Sequence, residues 1–95
     1  MGIELSEHTR ERAKERGTNI DEIIDVILTG SYFPAKGERK GKEKIFSYNS
    51  EWNGKIFPEK LVRVIFVIRE KNISTVTVIV QFGKWTKTDS YENNV

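Results

Sequence analysis

The stretch that decides the fold is residues 61–82, which read LVRVIFVIREKNISTVTVIVQF. Leu61–Arg69 and Ile73–Phe82 are rich in β-branched residues, and the Lys71-Asn72 pair between them indicates a turn. The first run is apolar on both faces apart from its arginines, which predicts a central strand. In the second run, alternate positions over 76–82 are apolar and share one face. These residues therefore predict an antiparallel hairpin at the centre of a sheet.

Two helices are predicted before this hairpin. Residues 6–17 run from Ser6, a good N-cap, to Gly17, and they contain one aliphatic residue, Ala13. A helix this polar is marginal unless its charges pair or a partner holds it. A second helix runs between the cap Asn19 and Gly30. Its apolar stripe is predicted to consist of Ile20, Ile23, Ile24 and Ile27.

The rest of the chain completes an α+β pattern. A short strand is predicted at residues 3–5. Residues 45–50 show the period-two pattern of a strand, and an Asn53-Gly54 turn follows them. Residues 34–44, with five basic and two acidic side chains and two glycines, predict a mobile loop. We expect one α+β domain over 1–85, with the order strand, two helices and a three-stranded antiparallel sheet, followed by a polar tail over 86–95.

The composition excludes several classes of protein. The chain has 95 residues, 32% of them charged, and its 16 basic and 14 acidic side chains give a net charge of +2. There is no cysteine, so disulfide scaffolds and thiolate metal sites are excluded. No apolar run approaches the roughly 18 residues that cross a bilayer, and the N-terminus lacks the pattern of a signal peptide. We therefore expect a soluble, cytoplasmic protein without a membrane partner.

One row of residues on the first helix suggests chemistry. The only histidine, His8, is followed at i+4 and i+8 by Arg12 and Arg16, so the three share one helical side. Guanidinium groups bind phosphate oxygens bidentately, and imidazoles in general move protons at neutral pH. The row therefore suits a phosphodiester. A solvated face paired with the neighbouring glutamates is the alternative that the spacing leaves open.

Other candidates lie in the second half of the chain. Arg63 interrupts an apolar strand and must reach a carboxylate, the sheet edge or an anionic ligand. A basic set is a candidate for binding nucleic acid by counterion release, with a tryptophan for stacking on bases. This set consists of Lys36, Arg39, Lys40, Lys42, Lys44, Lys84 and Trp85. A solvated loop would explain the same residues. We expect no cofactor and no metal, since one histidine is too few for the usual zinc sites.

The opening of the chain resembles that of a small uncharacterised prokaryotic family. The family begins Ser-x-His-Ala-x-x-Arg-x-x-x-Arg-Gly and continues with an acidic, isoleucine-rich helix; here the run is Ser6–Gly17 followed by Ile20–Ile24. Its later strands resemble Arg63–Ile65 and Val76–Val78, so the resemblance covers most of residues 3–82. Thr9 replaces the commoner Ala, Thr18 replaces the usual Ile, and the basic segment is an insertion.

That family in turn is similar in element order to the RelE and BrnT ribonuclease toxins of toxin–antitoxin systems. The resemblance implies a metal-independent endoribonuclease that acts on RNA, on the ribosome in the manner of that class, with an antitoxin protein as partner. It implies His8 as general acid or base, and Arg12, Arg16 and Arg63 as phosphate ligands. Tyr48 is added by extrapolation as a second proton donor. The alternative is a non-catalytic module of the same fold that binds nucleic acid or protein.

Overall fold

The computed structural model describes residues 2–86, and they form one α+β domain with two helices on one face of a five-stranded sheet. The elements in chain order are β1 (Ile3–Glu4), α1 (Glu7–Arg16), α2 (Ile20–Thr29), β2 (Ser31–Phe33), β3 (Lys40–Trp52), β4 (Lys55–Arg69) and β5 (Asn72–Gly83). The sheet order is β1-β5-β4-β3-β2, so β4 is the central strand as its composition predicts. Strand β1 runs parallel to β5, and the other neighbours are antiparallel.

The core lies between the helices and one face of the sheet. From the central strand it takes Val62, Val64 and Phe66, which alternate along β4 and are almost completely buried. From the helices it takes Ala13, Ile23, Val26 and Ile27. The residues between these on β4, among them Arg63, therefore lie on the opposite face, which neither helix covers. We call this the open face.

Helix α1 is anchored by polar contacts because it has so little apolar surface. Ser6 is the N-cap and its Oγ accepts a hydrogen bond from the Thr9 N–H at 3.0 Å. Thr9 is fully buried, and its hydroxyl lies 2.8 Å from Ser6 Oγ. The Ser6 N–H donates in turn to Thr75 Oγ1 on β5. Thr9 thus joins the cap to the buried side of α1.

The structure agrees with the predicted α+β order and differs from it in three details of the elements. The predicted three-stranded sheet lacks β2, a three-residue strand on the edge of the sheet beside β3. The predicted loop over 34–44 ends early, because β3 begins at Lys40 and pairs there with Phe66. The second hairpin turns at Glu70 and Lys71, both at positive φ, one residue earlier than predicted.

The predicted faces also need two corrections. A bulge opposite Ile65 and Phe66 inserts Val76 into β5, so Thr75 rather than Val76 shares the buried face with Val78. On α2, Val26 is buried, whereas Ile20 of the predicted stripe is 37% exposed. The hairpin turn at Asn53-Gly54 is as predicted, with both residues at positive φ. Within residues 2–86 neither helix has the length and apolar character needed to span a bilayer.

Candidate functional site

The histidine–arginine row lies on an accessible side of α1. His8 and Arg16 are exposed, and their side chains make no hydrogen bond or ion pair with any of residues 2–86. Arg12 is half-buried and its Nη1 donates to Glu15 Oε1 at 3.2 Å. At 1.5 Å rise per residue, neighbours in the row are about 6 Å apart along the axis, within joint reach of one phosphate. Two of the three members are thus available to a ligand.

Arg63 lies away from this row, on the open face. Its Nε donates to Glu43 Oε1 at 2.7 Å across the β3–β4 pair, and its guanidinium stacks 5.2 Å from the Phe33 ring. The sequence allows Arg63 to reach a carboxylate, the sheet edge or an anionic ligand, and in the structure it reaches a carboxylate, that of Glu43. Since both helices pack on the other face of the sheet, the sheet separates Arg63 from His8. The predicted site residues His8, Arg12, Arg16 and Arg63 therefore do not meet at one point.

Tyr48 is also distant from His8. Its hydroxyl donates to the Glu51 carbonyl at 3.0 Å, and its ring packs 5.0 Å from the Phe82 ring. Lys60 Nζ lies 5.4 Å from the same ring and donates to the Gly17 carbonyl at the end of α1. Tyr48 is therefore near the C-terminal end of α1, about 13 Å along the axis from His8. It does not reach a phosphate held beside the histidine.

The predicted basic set is divided by the structure. Lys42 Nζ donates to the Ile27 carbonyl at 2.7 Å, and Lys44 Nζ pairs with Asp25 at 2.9 Å. These two lysines supply the positive charge that the last turn of α2 lacks. The hydrogen bonds from Lys44 and then Thr29 lower the pKa of Asp25 below its ordinary value. Lys42 and Lys44 thus stabilise the fold.

The remaining members of the basic set stay on the surface. Lys36 and Arg39 are exposed on the connection between β2 and β3, and Lys40 is exposed at the start of β3. Lys84 is exposed beyond β5, and the ring of Trp85 lies against Gly83. The Glu59 carboxylate accepts hydrogen bonds from the hydroxyl and the N–H of Thr86, and from the Trp85 N–H at 2.6 Å. These hydrogen bonds, that of the Thr86 hydroxyl first, lower the pKa of Glu59. These contacts fix the chain after β5; most of the predicted tail lies outside the described residues.

The sequence analysis does not predict one buried charge, that of Lys60. Lys60 is 5% exposed, and its Nζ contacts Glu22 Oε1 at 2.7 Å and the Gly17 carbonyl at 2.8 Å. Glu22 also accepts the Thr18 hydroxyl at 2.7 Å. Lys60 precedes the apolar run of β4, and its carbonyl partner lies 43 residues earlier in the chain. No local pattern predicts such a pair, which joins the α1–α2 connection to the sheet.

A groove between the helices was also missed. It encloses about 410 Å³ and is lined by Arg10, Ala13, Lys14, Thr18, Asn19, Ile20 and Asp21. Arg10 and Lys14 lie four residues apart, on the flank of α1 opposite the His8 row. The i, i+4 spacing of Arg10 and Lys14 is the sequence signal that could have indicated this groove. Three or more histidine or acidic side chains gathered to hold a metal ion are absent from residues 2–86.

No protein-family model, curated protein or solved structure matches the chain.

Proposed function

We propose that the protein is a metal-independent ribonuclease of the RelE/BrnT toxin type, acting on RNA in the cytoplasm through His8, Arg12 and Arg16. The observation that carries this proposal is the availability of the row. His8 and Arg16 have no partner among residues 2–86, while Arg63, Lys42 and Lys44 are bound within the fold. A cognate antitoxin and the ribosome are the partners expected of a protein in this class.

The reaction that this row suits is transfer of the phosphodiester to the neighbouring 2′-hydroxyl. The 2′-oxygen–phosphorus bond forms as the phosphorus–5′-oxygen bond breaks, which leaves a 2′,3′-cyclic phosphate. His8 takes the 2′ proton as general base, and the 5′-oxygen takes a proton from water. Arg12 and Arg16 bind the non-bridging oxygens and stabilise the charge that develops on them.

The test is cleavage of a fluorescent single-stranded RNA in the presence of EDTA. We expect His8→Gln to slow cleavage by roughly 100-fold or more, and Arg12→Gln by a similar factor. Arg69→Gln is the matched control, because Arg69 is an exposed arginine at the far end of β4. Wild-type rates in the His8 and Arg12 variants would refute the assignment of the site. RNA that stays intact after incubation with the wild type, both free and bound to ribosomes, would refute the activity.

A second function, RNA binding without cleavage, is supported by a different observation. Arg63 Nε donates to Glu43 and the Tyr48 hydroxyl donates to the Glu51 carbonyl, so neither of these two predicted site residues lies beside the row to protonate the leaving oxygen. This module would bind through exposed cations, and its affinity would fall steeply with salt. Fluorescence anisotropy at 50 mM and 500 mM salt distinguishes the two functions when scission is measured in parallel. Salt-independent binding would contradict the module.

A further inference from the structure

The groove between α1 and α2 has free charges on its rim and a floor whose polar groups are already satisfied. The Thr18 hydroxyl donates to Glu22 at 2.7 Å, and Asn19 Oδ1 accepts the Glu22 N–H at 2.9 Å. Ala13, which is 3% exposed, supplies apolar floor. A ligand entering the groove would therefore meet apolar surface below and ionic groups only at the rim.

Two of the rim groups are cations that the fold does not use. Arg10 and Lys14 are exposed, and neither side chain forms a hydrogen bond or ion pair with any of residues 2–86. Glu7 and Glu11 are within helical reach of them but make no ion pair with them. Asp21 on the opposite rim leaves the groove with an excess of one positive charge. This arrangement is complementary to an acidic ligand that also has an apolar side.

An exposed apolar ridge continues from the groove along α2. Ile20 lines the groove, and Ile24 and Leu28 follow at i+4 and i+8 on the same side of the helix. Leu28 is 67% exposed and Ile20 is 37% exposed, with the half-buried Ile24 between them, so this side of α2 presents a continuous apolar surface. At 1.5 Å per residue this ridge extends about 12 Å beyond the groove. Its length suits an extended macromolecular segment better than a small molecule.

We propose that this groove and ridge bind an amphipathic helix of another protein, with carboxylates facing Arg10 and Lys14 and apolar side chains on Ala13, Ile20 and Leu28. Helices dock in this way when apolar side chains three or four residues apart enter a groove between two helices. RNA fits the surface less well, because no aromatic side chain lines the groove for base stacking and Asp21 repels phosphate. The surface lies about 160° around α1 from the His8 row, so the proposal does not rest on ribonuclease activity.

A random library of 16-residue peptides displayed on phage tests the proposal, with the intact protein as bait. We expect the enriched peptides to carry apolar residues at helical spacing and at least two acidic residues, and the best synthetic peptide to bind at micromolar concentrations. Affinity should fall at least tenfold in Arg10→Glu/Lys14→Glu and in Leu28→Ser. Arg69→Glu/Lys71→Glu, an equal charge change on two exposed residues at the β4–β5 turn, should leave it unchanged.

Three outcomes would overturn the proposal. Enriched peptides without an acidic bias would contradict the role of the cations, as would equal affinity for the wild type and the Arg10→Glu/Lys14→Glu variant. A labelled RNA that competes with the peptide and loses affinity in the same variant would assign the groove to nucleic acid. Circular dichroism and urea unfolding check that each variant is folded. If the double glutamate variant is not, Arg10→Gln/Lys14→Gln is compared in its place.

Discussion

Replacing Lys60 by methionine removes an ammonium group on which the junction between the helices and the sheet depends. The Lys60 side chain is 7% exposed and that of Glu22 is 22% exposed, so water screens their 2.7 Å ion pair poorly. Breaking a fully buried pair by removing one partner costs about 3–5 kcal/mol. Glu22 keeps the Thr18 hydroxyl and some solvent, which reduces the cost, and the Gly17 carbonyl loses a donor, which increases it. We expect a loss of about 3 kcal/mol in the free energy of unfolding.

The matched control is Lys44→Met. Its ion pair with Asp25 has nearly the same geometry, 2.9 Å, but both side chains are more than a third exposed. Exposed pairs contribute about 0–1 kcal/mol. Urea unfolding followed by tryptophan fluorescence measures both variants, with the slope in denaturant checked for constancy. In a domain of this size a loss of 3 kcal/mol lowers Tm by roughly 12–24 °C.

A double variant separates the charge from the packing of the lysine stem. Lys60→Met/Glu22→Gln replaces the carboxylate that Lys60→Met alone leaves unpaired. Its loss in the free energy of unfolding should therefore be about 1–2 kcal/mol smaller than the sum of the losses in the two single variants. A Lys60→Met cost within about 0.5 kcal/mol of the Lys44→Met cost would refute the argument. Simple additivity of Lys60→Met and Glu22→Gln would also refute it.

Three further predictions concern the fold. Gly41→Ala places a Cβ about 2.5 Å from the Phe33 ring, so we expect a loss of about 1–3 kcal/mol in urea unfolding, reduced when Phe33→Leu is added; an equal loss with Phe33→Leu would contradict the clash. The pKa of Asp25 lies below its usual 3.8, so the stability that this carboxylate contributes is complete above pH 3.8 and is lost as the pH falls through the lower folded pKa. Asp25→Asn should therefore flatten the decline in the free energy of unfolding below about pH 4. An unchanged decline at acid pH would contradict this. Ser6→Ala removes the N-cap of α1 and should lower the free energy of unfolding by about 1 kcal/mol, seen as a lower Tm, and an unchanged Tm would contradict this.

The elements that the sequence predicts well are those with local signals. Ser6, Gly17 and Asn19 bound the helices as their capping chemistry requires, and the Asn53-Gly54 pair forms its turn. The missed strand β2 has three residues, too few for a period-two pattern to appear. The start of β3 was missed because lysines and glycine favour a loop locally, whereas pairing with β4 and contact with α2 decide its conformation.

The candidate site was harder to predict. The sequence shows the chemical type of each residue, whereas the fold decides which of these residues lie close together. The spacing of His8, Arg12 and Arg16 correctly places them on one side of α1. The spacing along β4 correctly places Arg63 opposite Val62 and Val64, but it cannot say that Glu43, twenty residues earlier, would neutralise it. Charge pairs across strands depend on register, which sequence patterns specify weakly.

The two lysine contacts at the helix ends have a consequence for the order in which the molecule assembles. Gly17 at the end of α1 and Ile27 near the end of α2 present carbonyls whose ammonium partners, Lys60 and Lys42, follow 43 and 15 residues later. Helices of ten residues are marginal by themselves in water. While the chain is synthesised, the helical segment therefore emerges first but gains these terminal contacts only after β3 and β4 have followed. Helices and sheet should consequently form together, as one cooperative unit, with the long-range pairing of the strands setting the rate.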